Sequence, residues 1–589
     1  MVRQTRREFL KTMGSATVSA GALSLSAGCA GARPNAAAES QRPNVVLVMT
    51  DDQGYGDFSC HGNPVLRTPN LDTLHGQSVR LTDFHVAPMC TPTRSQLMSG
   101  LDALRNRARH VCGGLDMLRQ DVPTMADIFK ASGYRTGLFG KWHLGDNYPY
   151  LPQYRGFEET VYHKSWGITS AGAYWGNDYF DDTYYHNGRL QKYDGYCNDV
   201  WFTEAMKWIK ACAKQNERFF CYLPTNLPHS PLLVPEKYAA GYEQHGNAAK
   251  FFGMIANIDE NMGKLMRMLE EVGIAENTIL IFLTDNGGAG GVKVFNAGMR
   301  GGKRQLYDGG HRAACFIRWP KGGLQQGSDI DELTTCRDLF PTLIELCALT
   351  PPVGVTRLDG VSLASLLRGA EKTLSDRMIV VQYGIDISKW NSAVLWKKWR
   401  LVKGEELYNI GADPGQKQNV ADKHPDIVKA MRDHYERWHS EVEPIANQPC
   451  YVHIGSKYEN PTDLTCAQWY MLYADNFRDI NGGNNSYWNV LVERDGRYEF
   501  TMSRYPLEAD MAMDAPLTIR GYEVTALPVT KALMKIDRFE ETKPVASGDK
   551  YVTFTVPLKA GKCRLQTWLY DKAGKELCGA YYVRANRLG

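Results

Sequence analysis

Four apolar runs, each stopped abruptly by polar residues, constrain this chain most. Asn44 to Thr50 runs into Asp51-Asp52, and Tyr134 to Gly140 runs into Lys141-Trp142-His143. Phe219 to Leu223 leads to Pro228-His229, and Thr278 to Thr284 runs into Asp285-Asn286. Runs without polar alternation suit strands buried on both faces, as in a parallel sheet covered by helices. Helical segments fit between them. The spacing predicts helices over Pro123 to Ser132, stopped by Gly133, and over Asp199 to Ala213 with Asp199 near an N-cap. Ile255, Ile258, Met262, Leu265 and Leu269 make one apolar helical face. Alternating strands and helices give an α/β fold with a mainly parallel sheet sandwiched by helices. Ligands in such folds bind at the carboxyl ends of the strands, so the polar residues after the four runs should meet at one edge.

The rest of the chain divides by composition. With 589 residues, 43% hydrophobic and 23% charged, it is ordinary globular material of two to four domains. The α/β pattern lies in the N-terminal part, and the character of the chain changes around Val442 to Pro449. From 450 to 589 come strand-like segments separated by turns, among them Arg497 to Arg504, Tyr551 to Leu558 and Cys563 to Tyr570. They read as an appended β-sandwich. The net charge is +3, but the first 42 residues carry six basic and two acidic side chains, so the remainder is near neutral. That gives no basic footprint for nucleic acid. The 14 cysteines form no C-x-x-C and no zinc spacing, so no disulfide scaffold or zinc module is expected.

The N-terminus reads as an address. Arg6-Arg7-Glu8-Phe9-Leu10-Lys11 is followed by a weakly apolar stretch from Met13 to Gly28, and residues 1–29 together resemble a twin-arginine (Tat) export signal of bacteria. Leu25-Ser26-Ala27-Gly28 before Cys29 resembles a lipoprotein cleavage box, leaving either a lipid anchor at Cys29 or a cysteine in a discarded peptide. Residues 30–42 read as a tether. The expectation is an exported protein, periplasmic, anchored to the cell envelope or secreted.

Asp51, Asp52, Asp285 and Asn286 offer hard oxygen ligands suited to Ca²⁺ or Mg²⁺. Either pair alone passes for a turn or a helix cap; two pairs after buried strands favour metal. Cys90-Thr91-Pro92-Thr93-Arg94 then matches the C-x-P-x-R signature of type I sulfatases, with Thr91 where Ser or Ala is commoner. Asp51 to Asp57, Gly140 to Gly145, Pro228 to Pro231, Thr284 to Gly288, Arg300 to Lys303 and Gly309 to Arg312 follow the family's order. Glu406 to Asn409 and Asn419 to Ala421 resemble its C-terminal subdomain, so the resemblance implies a smaller α+β subdomain over residues 373–449. Residues 43–372 thus resemble an arylsulfatase-like member of the alkaline phosphatase superfamily.

The resemblance implies a sulfuric ester hydrolase whose Cys90 is oxidised to formylglycine (3-oxoalanine) by a maturation enzyme. Asp51, Asp52, Asp285 and Asn286, with residue 90, would bind Ca²⁺ in preference to Mg²⁺. Arg94 would hold the formylglycine hydroxyl, and Lys141 and Lys303 would clamp sulfate oxygens. His143 would be the base for elimination, and His229 would serve the leaving oxygen with Lys303. His85 and His311 lie near motifs without a role. The segment Trp166 to Asn187, rich in aromatic, amide and carboxylate groups, suits sugar hydroxyls or a packed surface loop. The expected substrate is a sulfated small molecule, with a sulfated carbohydrate as the leading class. Alternatives are a phosphodiesterase or phosphonate monoester hydrolase of the same superfamily, and a non-catalytic glycan-binding protein.

Overall fold

The computed structural model describes residues 42–351, 357–519 and 522–589. The twin-arginine segment, Cys29 and the tether up to residue 41 lie outside the described residues.

The four apolar runs form adjacent strands at the centre of a ten-stranded sheet. They occur in the spatial order Thr278–Thr284, Asn44–Thr50, Phe219–Pro224, Arg135–Lys141, and every pairing between them is parallel. Antiparallel strands lie towards both ends of the sheet. Val45 to Met49 and Phe219 to Leu223 are wholly buried, each such side chain contributing about 1.5–3 kcal/mol of transfer free energy. Thr50 pairs with Thr284, so Asp51 and Asp285 leave the sheet at the same level.

Helices cover both faces. Asn247–Glu271 buries Ile258, Met262, Leu265 and Leu269 against one of them, while Ile255 packs in a separate cluster with Leu66, Phe251 and Phe252. The helix expected over Pro123 to Ser132 spans Met125–Ala131, because Thr124 and Asp127 form a reciprocal capping box that fixes its start. The expected cap at Asp199 is corrected. The helix begins at Cys197, and Asp199 lies in its first turn. There its carboxylate accepts bonds from Asn257 and Asn261 Nδ2 at 2.9 and 2.7 Å, so a neighbouring helix takes the oxygen a cap would have used.

Met378–Gln382, Ser392–Trp396, Trp399–Val402 and Glu406–Asn409 form an antiparallel meander, packed on the helix Pro425–Ala446. Beyond it, strands between Val452 and Arg587 build two principal sheets around a core that includes Trp488, Phe500, Phe554 and Leu565. Val552, Phe554 and Val556 point inward in alternation. This core continues into the α/β part through Met117, Tyr150 and Ala171. Tyr582 Oη donates to the Ala171 carbonyl at 2.9 Å, and Tyr150 Oη to that of Tyr451 at 3.0 Å. Among the described residues no helix is long and apolar enough to cross a membrane.

Candidate active site

Cys90 is the first residue of the buried helix Cys90–Ser99, which Gly100 ends in a left-handed conformation (φ 66°). The helix sets Cys90 at the carboxyl edge of the sheet. Ligating atoms of Asp51, Asp52, Cys90 and His229 all lie within 4.8 Å of one another. Two of the four strand ends, those after Thr50 and Pro224, therefore converge with the Cys90 helix.

Charges alternate through the site. Lys141 Nζ lies 2.6 Å from Asp51 Oδ2, both wholly buried. Lys303 Nζ lies 2.5 Å from Asp52 Oδ1 and 3.6 Å from Cys90 Sγ. Arg94 donates to Asp285 Oδ2 at 3.2 Å and to the Lys141 carbonyl at 3.1 Å. The Asp52 amide donates to Asp285 Oδ1 at 3.0 Å, and Asn286 Nδ2 donates to Asp52 Oδ1 at 3.1 Å. Burial opposes ionisation of Asp51, but Lys141, His229 and Arg94 outweigh it and hold the carboxyl well below its usual range. Asp285 goes the other way: burial and the Asp51 charge push it to about 8. Burial, then Asp51, push the Cys90 thiol to about 12.

Two of the expected oxygen ligands are unpartnered. Asp51 Oδ1 and Asn286 Oδ1 are buried without a hydrogen bond among the described residues. Buried oxygens are seldom left so, and both fit a hard cation. Asp52 adopts a left-handed backbone (φ 73°), as does His143 (φ 55°), a strain of about 1–3 kcal/mol that the surrounding fold must hold in place.

His143 Nε2 donates to the Val111 carbonyl at 2.9 Å. That bond fixes the tautomer and leaves Nδ1 as a buried acceptor without a partner among the described residues. Burial, with Lys141 beside it, holds this ring well below its usual pKa, so it is neutral. His229 Nδ1 donates to the Ser230 carbonyl at 2.6 Å, and its Nε2 is 3.7 Å from Asp52 Oδ2.

A cavity of about 760 Å³ opens above this group, with Asp52, Cys90, His229 and Lys303 in its wall. Arg94, Lys141 and His143 are not in that wall; they are buried among the residues that support it. Of the Trp166 to Asn187 segment only Trp166 lines the cavity, its ring 5.0 Å from that of His229. Trp175 packs on Phe477, Tyr184 is buried, and Asn177 and Asp182 are spent on backbone groups of their own loop. The rest of the segment is thus a packed loop.

The sulfatase family model matches residues 43–348, just over half the chain. The chain belongs to the sulfatase family. It is similar to N-acetylgalactosamine-6-sulfatase of Homo sapiens, 30% identical over 65% of this chain and 76% of that protein. Arylsulfatase J of Mus musculus is 26% identical over 71% and 79%. Among solved structures, Ps i-CgsB in complex with k-i-k-neocarrahexaose superposes with a TM-score of 0.62 at 25% identity, covering 68% of this chain and 93% of that one. The chain is accordingly a sulfatase, an enzyme that hydrolyses sulfate esters, with an arylsulfatase-like fold of the alkaline phosphatase superfamily.

The cavity also holds residues that sequence reasoning passed over. Lys293 and Arg304 flank the Lys303 motif in the chain. Tyr473, Asp475, Asn476 and Arg478 come from the C-terminal sheet region. Arg304, next to Lys303, was open to notice; nothing in the local sequence marks Tyr473 to Arg478.

Proposed function

We propose that this sulfatase removes sulfate from a carbohydrate, using formylglycine made from Cys90 beside a Ca²⁺ ion held by Asp51, Asp52, Asp285 and Asn286. The observation that carries the reading is the meeting of Asp51, Asp52, Cys90 and His229 within 4.8 Å, the last three in the cavity wall and Asp51 buried behind them. The unpartnered oxygens of Asp51 and Asn286 support the metal. A soft thiol is a poor companion for that hard-oxygen set; as formylglycine, residue 90 supplies an oxygen nucleophile and a cation supplies charge to help ionise it.

The chain's own residues account for the rest. Lys303, beside residue 90, holds a sulfate oxygen and offsets charge developing on it. Lys141 and Arg94 balance Asp51 and Asp285 and hold them in place. His143, neutral with Nδ1 unprotonated, takes a proton; His229 Nε2 faces the cavity and serves the leaving oxygen. Trp166 gives a sugar ring an apolar surface, and the printed names of two relatives, an N-acetylgalactosamine-6-sulfatase and a protein bound to a neocarrahexaose, support a saccharide. The proposal includes a formylglycine-generating enzyme as maturation partner. It also includes export by the twin-arginine route to the periplasm, the envelope or the medium, with cell fractionation of a tagged full chain as the check.

The test is the mass of the Cys90 peptide from protein purified from its native host, with turnover of a parallel panel of sulfate and phosphate esters. The expected result is loss of sulfur for an aldehyde oxygen, sulfate ester turnover, and none in Cys90→Ala. An unmodified thiol in an active preparation, or undiminished release by Cys90→Ala, overturns the mechanism. Faster phosphodiester turnover overturns the assigned reaction.

A further inference from the structure

The cavity has an outer end that ester cleavage does not use, and its charge is one-sided. Lys293, Arg304 and Arg478 line it and are exposed. Among the described residues no carboxylate lies within 4 Å of the side-chain nitrogens of Lys293 or Arg304. Among the described residues the ion-pair partner of Arg478 is Asp479 of its own turn, at 3.7 Å, and its charge also acts on the buried Asp475; its side chain is 59% exposed. The one carboxylate in the wall besides Asp52 is Asp475, which is 1% exposed and bonded to Asn476 Nδ2. Asp52 is already paired with Lys303.

These cations are held by the fold. The Arg304 amide donates to the Pro88 carbonyl at 2.8 Å, and Tyr383 Oη donates to the Arg304 carbonyl at 2.6 Å. The residue keeps a left-handed backbone (φ 72°) between those two anchors. Arg478 sits in the short helical turn Phe477–Asn481, fixed by a capping box of Asn476 and Asp479. That turn is bound to the catalytic half: the Asp475 carbonyl accepts from the Ala171 amide at 2.9 Å and from Trp166 Nε1 at 3.2 Å. Tyr473, 41% exposed, adds an aromatic face from the same stretch. At about 760 Å³ the cavity exceeds what one sulfate needs and matches sites for ligands of many heavy atoms.

We propose that the C-terminal β region completes the substrate site, and that Arg304 and Arg478 bind a second anionic group, a sulfate or carboxylate, on the saccharide whose ester is cut. Guanidinium forks suit both anions. Lys293 adds to the field drawing a polyanion in. Trp166 and Tyr473 face the apolar side of the intervening sugar. The β region is thereby part of the specificity apparatus as well as a brace. The inference rests on the carbohydrate reading above.

The full chain is titrated calorimetrically with two chondroitin disaccharides, one carrying a 6-sulfate and one a 4,6-disulfate. Wild type, Arg304→Gln and Arg478→Gln are compared, with melting temperature as the folding control. The expected result is tighter binding of the disulfate, weakened about tenfold by each substitution, with a smaller loss for the monosulfate and a steeper salt dependence for the wild type. Equal affinity for the two ligands, or a preference that survives both substitutions, overturns the proposal. Turnover of 4-nitrophenyl sulfate by the same wild-type preparation tests the enzymatic reading separately. Absent turnover with the ligand preference intact refutes that reading and leaves the second anion site standing.

Discussion

Arg400→Met tests how the meander supports the catalytic core. Arg400 is wholly buried; its Nε lies 3.0 Å from Asp308 Oδ1 and its Nη2 2.7 Å from Asp83 Oδ1. Nη1 donates to the Lys397 carbonyl at 2.7 Å. Met keeps most of the volume and removes the charge, leaving two buried carboxylates with Lys398, 3.6 Å from Asp83, as the nearest cation. Breaking a buried pair in this way costs about 3–5 kcal/mol, because a desolvated charge loses its partner. The pH dependence has a definite sign. In the wild type, burial opposes ionisation of Asp83 and Asp308, but Arg400 outweighs it and holds both below their usual values. Their ionised forms contribute stability above the unfolded pKa of about 3.9, lost only as pH falls through the lower folded values. Without Arg400, burial still opposes ionisation and only Lys398, His85 and His311 remain against it, so both folded pKa values rise. The variant's deficit should therefore be largest at pH 7 and shrink towards pH 4. Urea unfolding followed by tryptophan fluorescence at pH 7 and 5 measures it. A deficit under about 1 kcal/mol at pH 7, or one that does not shrink with acid, refutes the reasoning. So does a triple variant, Arg400→Met with Asp83→Asn and Asp308→Asn, no more stable than the single one.

Three further outcomes are expected. Gly287→Ala should lower the melting temperature and sulfatase turnover together, since its Cβ would lie 1.9 Å from the Gly309 carbonyl oxygen, an overpacking cost of about 1–3 kcal/mol or more; an unchanged melt contradicts it. Asp475, pushed by burial to about 7, favours the fold while protonated, so its contribution is full below pH 4 and lost as pH rises through 7. Asp475→Asn should flatten that fall, at most about 4 kcal/mol, in melts at pH 5 and 8, and parallel pH curves for the two proteins count against it. Adding Ca²⁺ to the chelator-treated full chain should stabilise it by about 2.7 kcal/mol at a hundredfold excess over Kd, an increment absent in Asn286→Ala; a Ca²⁺-independent melt removes the metal from the site.

Much of the catalytic floor was legible in sequence because local rules place it. A strand buried on both faces must be apolar, so its polar stop marks the sheet edge, and Asp51, Lys141, His229 and Asp285 follow from four such stops. The Cys90 motif adds the helix start. Helix ends were legible only where capping was local: Thr124 caps with Asp127, whereas Asp199 turned to a partner about 60 residues away. In the sandwich, the alternation of Val552 to Val556 was plain, but Tyr487–Val492, Lys531–Ile536 and Phe539–Pro544 escaped notice. Charged or polar residues on their outer faces break up a short apolar signal.

The sequence by itself determined the α/β class, the strand edge where chemistry collects and the residue types gathered there, since period and polarity are properties of neighbours along the chain. Tertiary structure alone decided which cations face the cavity and which lie beneath it, that Arg400 pairs with Asp83 and Asp308, and that Arg478 joins a wall begun at Asp52. Exposure and charge pairing depend on what packs alongside in space, and a distant segment leaves no mark on the local pattern until the chain brings it there.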